Sequence, residues 1–245
     1  MRNIKLTIEY DGRDFNGWQK QPDKLNIQGT IENAIKAITG EEVELNASGR
    51  TDAGVHAYAQ VANFKTNSNL PIEKFPLAIN SKLKKSIIIK NAEEVDERFH
   101  SRLTCKRKTY RYVINNSYLG TAIYRNLECH IPTKLNVEDM KKAAEYFEGE
   151  HDFKAFKASG TSSKSSVRTI YKANVYVENE RIYIELTGNG FLYNMVRIIA
   201  GTLVDVGIGK IKPESIPEII KEGKRENAGK TLPAHGLYLL NVEYN

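Results

Sequence analysis

Ile4-Lys5-Leu6-Thr7-Ile8-Glu9-Tyr10 puts Ile4, Leu6, Ile8 and Tyr10 on one side and Lys5, Thr7 and Glu9 on the other. A period of two is that of a strand with one buried face and one wet face. Outward from it the period keeps changing. A loop rich in turn residues runs from Asp11-Gly12 to Pro22, and then Ile31, Ala34, Ile35 and Ile38 recur at helical spacing with Gly40 as the stop. Val43, Leu45 and Ala47 alternate again, and Tyr58, Gln60, Ala62 and Phe64 alternate with Ala59, Val61 and Asn63. Between these two strands lies Ser48-Gly49-Arg50-Thr51-Asp52-Ala53-Gly54-Val55-His56. Pro71 opens a second helix to about Leu83, and Ile87-Ile88-Ile89 makes a further strand. The first part of the chain therefore predicts β-α-β-β-α-β.

The second part repeats that order. Thr104 to Ile114 predicts a strand with Tyr110 and Tyr112 on one face and Arg107, Thr109 and Arg111 on the other. Asn136 caps a helix carrying Val137, Met140, Ala144 and Phe147, and Gly149 ends it. Ala158 to Ser166 is a polar loop, and Tyr171–Val177 with Arg181–Thr187 predicts a hairpin joined near Asn179-Glu180. Phe191 to Val206 reads as a long apolar helix, Pro213 to Glu222 as a short one, and Leu237 to Tyr244 as a closing strand. Two such units predict an α+β protein of two ferredoxin-like halves, residues 1–102 and 103–245, sharing a mostly antiparallel sheet with helices on one face.

Composition bounds the function. The chain has 245 residues, 40% hydrophobic and 27% charged, which is that of a globular protein long enough to bury its own core. Met1-Arg2-Asn3-Ile4-Lys5-Leu6-Thr7 has no apolar leader region, and the most apolar stretch, Met195 to Ile208, contains Arg197 and Asp205. The expectation is a cytoplasmic protein with no membrane span. Cys105 and Cys129 are the two cysteines, with no metal-ligand spacing around them, so neither a disulfide framework nor a zinc site is expected. Net charge is +6, and its distribution says more than its size. Arg98 to Arg111 holds six basic residues and no acid, and Phe153 to Val177 holds five and no acid. Phe99, Tyr110, Tyr112 and Tyr171 are interleaved with them, a pattern that suits a surface gripping phosphates and stacking bases, as well as an ordinary solvated face.

Several chemical signatures are missing. Gly207-Ile208-Gly209-Lys210 lacks the first glycine and the Ser/Thr of a phosphate loop. Asn46-Ala47-Ser48-Gly49 is no nucleophile elbow, and the five histidines form no ligand pair. What remains is Asp52. Gly49 and Gly54 flank it, and Arg50 lies two residues away, so both side chains can project the same way from an extended loop. Two roles fit: a turn aspartate bonded to its own backbone, or a nucleophile or general base. Arg197 also has two roles open to it in Met195-Val196-Arg197-Ile198-Ile199. It either snorkels or pairs with Asp205 on its own helix, or it holds Asp52 ionised. Tyr110 is either a core aromatic or a platform for a base.

Ser48-Gly49-Arg50-Thr51-Asp52-Ala53-Gly54-Val55-His56-Ala57 resembles the signature of the tRNA pseudouridine synthase A family. Four more segments resemble that family, in the same order. They are Glu9-Tyr10-Asp11-Gly12 with Phe15-Asn16-Gly17-Trp18-Gln19, Lys106 to Tyr112, Gly190 to Arg197, and Ala228 to Leu237. Leu232, where the family more often has a small residue, is a departure that touches no catalytic role. Ser68–Asn91 and Asn115–Lys134 match no motif.

The resemblance implies isomerisation of uridine to pseudouridine at positions 38, 39 and 40 of the tRNA anticodon stem-loop, without cofactor or metal. Asp52 would be the catalytic carboxylate, Arg197 its ion-pair partner, Tyr110 the ring stacked on the extruded uracil, and Arg50 the filler of the space the flipped nucleotide leaves. Phe191, Arg107, Arg111, Lys164 and Arg168 would contact the substrate, with the basic tracts on its phosphates. It also implies a homodimer. Two rivals remain: a non-catalytic RNA-binding protein, which needs neither Asp52 nor Arg197, and an RNA-cleaving hydrolase, which needs a histidine pair or metal carboxylates.

Overall fold

The computed structural model describes residues 1–160 and 165–244. The chain divides into two compact units, Met1–Lys106 with Leu239–Asn245, and Arg107–Tyr238. The fold is mixed α/β. Strand pairing within each unit is antiparallel among the described residues, except where β6 meets β5.

The first unit runs β1 (Arg2–Tyr10), α1 (Ile27–Thr39), β2 (Asn46–Ala47), β3 (His56–Thr66), α2 (Phe75–Asn80) and β4 (Ile87–Val95). β1 lies between β3 and β4, and β2 takes the other side of β3. Ile4 faces Phe64 across β1 and β3, and the Phe75 ring of α2 meets Phe64 edge-on with centroids 6.1 Å apart. α1 starts where Asn26 accepts a hydrogen bond from the Gly29 N–H (2.8 Å), a cap the sequence reading does not name, and stops at the predicted Gly40, in the left-handed conformation. Two elements are shorter than expected. The strand through Val43 reduces to Asn46–Ala47, and the helix from Pro71 splits into a single 3-10 turn, Ile72–Lys74, and α2.

The second unit runs β5 (Arg107–Asn115), β6 (Cys129–His130), α3 (Val137–Glu145), β7 (Gly149–Asp152), β8 (Val167–Glu178), β9 (Arg181–Gly188), α4 (Met195–Gly207) and α5 (Ile216–Glu222). The chain ends with β10 (Leu237–Glu243), whose residues from Leu239 on belong to the first unit. β9 lies between β5 and β8. The β8–β9 hairpin turns through Asn179 and Glu180, both at positive φ, the two-residue turn whose twist suits paired strands. α4 is buried at every residue but Arg197, so it behaves as a core helix rather than a surface one.

α4 begins four residues later than the sequence predicts. Asn194 sits at φ 61° and ψ 7°, a left-handed conformation that asparagine tolerates, and this breaks the helix from Phe191 to Asn194. Further along, a Cβ on Gly201 would lie 1.9 Å from the Lys230 carbonyl oxygen, so the chain after residue 228 lies directly on the helix backbone. The Gly229 N–H donates to the Thr202 hydroxyl (2.8 Å) beside it. Gly201→Ala must push that backbone apart, and the expected cost is about 1–3 kcal/mol or more. An unchanged urea midpoint for this variant would refute the close approach.

Candidate functional site

In the first unit the Asp52 loop is held from beneath. Ser48 and Thr51 are buried, Asp52 is half-buried, and Arg50 is exposed. With Thr51 turned inward between them, Arg50 and Asp52 both reach the surface. The Trp18 N–H donates to the Thr51 carbonyl (3.0 Å) and the Val55 N–H to the Asp52 carbonyl (3.2 Å). The Tyr10 and Thr51 hydroxyls are 2.7 Å apart, and the Ser48 hydroxyl meets the Gln60 side chain at 2.6 Å. Gly17, at φ +83°, passes so close that a Cβ there would lie 2.7 Å from the Thr51 carbonyl oxygen. On the far side of the loop His56 is buried, its Nδ1 3.2 Å from the Gly12 N–H donor and from Asp11 Oδ1. Burial alone would raise the Asp11 carboxyl, but its hydrogen bonds from Arg13 and the nearby His56 outweigh that and hold it below the usual carboxylate range.

Sequence reasoning singled out Asp52 and Arg50 and gave no role to Tyr10, Gly17, Trp18 or Gln60. One signal was present. Gln60 shares the register of Ala62 and Phe64, so a polar amide falls on the core-facing side of β3.

In the second unit Tyr110 is 8% exposed, and its ring meets Phe191 edge-to-face with centroids 5.2 Å apart. The broken turn before α4 is what brings Phe191 there. Arg168 lies beside Gly190, where a Cβ would be 3.6 Å from its Nε, and it donates to the Ser165 and Val167 carbonyls (3.0 and 2.6 Å). Arg197 is half-buried. Its Nε donates to the Leu232 carbonyl and its Nη1 to Asn194 Oδ1, both at 2.7 Å. The Asp205 carboxylate pairs with Lys210 at 3.2 Å. Leu232, whose size departs from the resembled pattern, is buried and serves Arg197 through its backbone.

Two arginines stand apart from this group. The β5 alternation puts Arg107 and Arg111 on the face opposite Tyr110. The Arg107 guanidinium lies 4.8 Å from the Tyr171 ring centroid. Arg111 bonds Glu185 at 2.6–2.7 Å and covers Tyr183. Burial would lower the Arg111 pKa, but the Glu185 carboxylate raises it above its ordinary value. Lys164 lies outside the described residues, as does the middle of the 158–166 loop. Both cysteines are free thiols. Among the described residues, no helix is long and apolar enough to cross a membrane, and no three His, Cys, Asp or Glu side chains converge as a metal site.

The first unit thus holds the backbone on either side of Asp52, and the second packs Tyr110 against Phe191. A family model described as tRNA pseudouridine synthase matches residues 6–103 and 143–245, with Tyr110 in the stretch between the two matches. The chain is 55% identical over 244 residues to the tRNA pseudouridine synthase A of Caldicellulosiruptor bescii. It is 53% identical over 244 residues to that of Acetivibrio thermocellus, and 54% identical over 244 to the tRNA pseudouridine synthase A 2 of Clostridium perfringens. Each alignment covers 100% of both chains. The chain belongs to the tRNA pseudouridine synthase family.

Because Arg197 makes charge-assisted bonds to the start of α4 and to the segment after it, Arg197→Ala is expected to cost about 2–3 kcal/mol of stability. Chemical denaturation of the purified variant checks this, and wild-type stability would refute the structural role.

Proposed function

We propose that this chain isomerises uridine to pseudouridine at positions 38, 39 and 40 of the tRNA anticodon stem-loop, with Asp52 as the catalytic carboxylate. The observation that carries the proposal is the loop itself. Asp52 reaches solvent while its neighbours Ser48, Thr51 and Val55 are buried and bonded. A carboxylate held this way is pre-organised for an attack on a sugar carbon or for proton removal from the ribose.

The reaction breaks the bond from uracil N1 to ribose C1′ and forms one from C5 to C1′. N1 gains a proton and C5 loses one, so oxidation state and composition are unchanged and no external group is consumed. The target base must leave its stack before C1′ is accessible, at a cost of a few kcal/mol. Tyr110 and Phe191 are suited to receive the flipped ring, and Arg50, exposed beside Asp52, is suited to fill the gap it leaves. Arg197 supplies positive charge to the same reaction. Arg107, Arg111, Arg168 and Lys164 would meet tRNA phosphates, Arg111 sharing its charge with Glu185. Recognition of this kind reads RNA shape more than sequence and weakens steeply with salt. The proposal includes a cytoplasmic homodimer and a first half, residues 1–102, that carries the Asp52 loop.

The test uses unmodified tRNA transcript with tritium at uracil C5. The wild type is expected to release the label to water, and Asp52→Asn to release none while binding tRNA nearly as well. Strong binding with no release, across several tRNAs bearing uridine at 38–40, would point instead to a non-catalytic RNA-binding protein.

A further inference from the structure

We propose that Tyr10 and Gln60 are positioning residues for Asp52, forming a buried polar clamp that sets where its carboxylate points. The inference rests on the assignment of Asp52 as the reacting group.

Gln60 lies on β3 and is wholly buried. Its Oε1 accepts the Ser48 hydroxyl at 2.6 Å and the Val61 N–H at 3.1 Å, and its Nε2 donates to the Gly49 carbonyl at 2.9 Å. Tyr10 ends β1 and is 3% exposed. Its hydroxyl lies 2.7 Å from the Thr51 hydroxyl. Burial drives that phenol well above its ordinary value, so it keeps its proton throughout the working pH range. One amide and one phenol, from two different strands, therefore reach residues 48, 49 and 51. Those are three of the four positions leading into Asp52.

A strand-to-strand connection does not need this. Turns of this kind satisfy themselves with their own backbone and short polar side chains. A buried amide and a buried phenol are costly unless bonded, and apolar residues at both positions would suit a core sheet face better. Here the polar groups converge on the backbone and hydroxyls beside the reacting carboxylate, and Tyr10 packs its ring on Trp18 (centroids 6.1 Å apart), whose N–H holds Thr51 from the third side. The work of these bonds is orientation. A displacement of about 1 Å in a reacting group can cost about 100-fold in rate.

The test compares Tyr10→Phe, Thr51→Val, Thr51→Ser and Asp52→Asn by three measurements: single-turnover tritium release at saturating tRNA, tRNA Kd, and Tm. Tyr10→Phe keeps the ring and Thr51→Val keeps the volume, so each deletes little beyond the shared bond. Both are expected to slow release about 10–100-fold with Kd and Tm near wild type. Thr51→Ser, which retains the hydroxyl, should recover most of the rate. Tyr10→Phe combined with Thr51→Val should be no slower than the slower of the two alone, because both remove the same interaction. Wild-type rates for Tyr10→Phe and Thr51→Val overturn the clamp, and so does a parallel fall of rate, affinity and Tm that serine does not rescue. If Tyr10→Phe fails to fold, the Val/Ser pair at residue 51 decides the matter. Asp52→Asn separates the two ideas: turnover in that variant removes the Asp52 role itself, whereas an inactive Asp52→Asn beside fully active Tyr10→Phe and Thr51→Val removes only the clamp.

Discussion

The hydrogen bond between the Tyr10 and Thr51 hydroxyls ties the end of β1 to a loop 41 residues further along, and it is buried. Surface loops are ordinarily held at their ends and mobile between them. This one is held in its middle. With Thr51 fixed by Tyr10 on its side chain and by Trp18 on its carbonyl, the exposed residues of the loop have little freedom left. Gly17 follows from the same constraint: the loop that carries Trp18 comes within 2.7 Å of the Thr51 oxygen, counted from where a Cβ would stand. Much of the polar residue choice between Tyr10 and Gln60 makes sense as support for one short stretch of backbone.

The second unit reaches a comparable rigidity by steric contact. The missing side chain of Gly201 lets the segment after residue 228 lie on α4, and Thr202 bonds it there. Arg197 adds a bond from its Nε to the Leu232 carbonyl, and the Tyr112 hydroxyl donates to the Pro233 carbonyl at 2.7 Å. A segment with no regular structure from residue 228 to 233 is thereby fixed at four successive places. Backbone groups of such a segment need partners wherever they are buried, and these side chains provide them.

How much of this could be read from the sequence depends on the kind of signal each part carries. β1, α1 and the β8–β9 hairpin follow from periodicity, caps and turn chemistry, which are local. β6 and β7 were not foreseen. The first has two residues and the second is Gly149-Glu150-His151-Asp152, so neither has an alternation to detect. α4 starts later than its pattern predicts because Leu192, Met195 and Val196 keep the apolar pattern through a turn that Asn194 breaks with its backbone alone. At the site, the glycines around Asp52 marked the loop. The resemblance to a family, rather than any spacing, is what proposes a role for Asp52. Gln60 passed as one more member of an alternating strand, since a sequence shows which residue faces the core but not which polar atom waits there.

Charge was the least legible property. The tract from Arg98 to Arg111 has no acid in it, and that reads as an open basic surface. Yet the antiparallel register sets Arg111 directly across from Glu185, 74 residues away, and the pair closes to 2.6 Å with the Tyr176 hydroxyl also on that carboxylate. Arg107, at the other end of the same strand face, meets the Tyr171 ring. An arginine already paired with a carboxylate offers a phosphate less net charge than its place in the run implies. A run of basic residues along a strand therefore overstates the field it presents. Sheet pairing supplies neighbours from a second dimension, and the surplus that remains, not the run itself, decides where a polyanion is held.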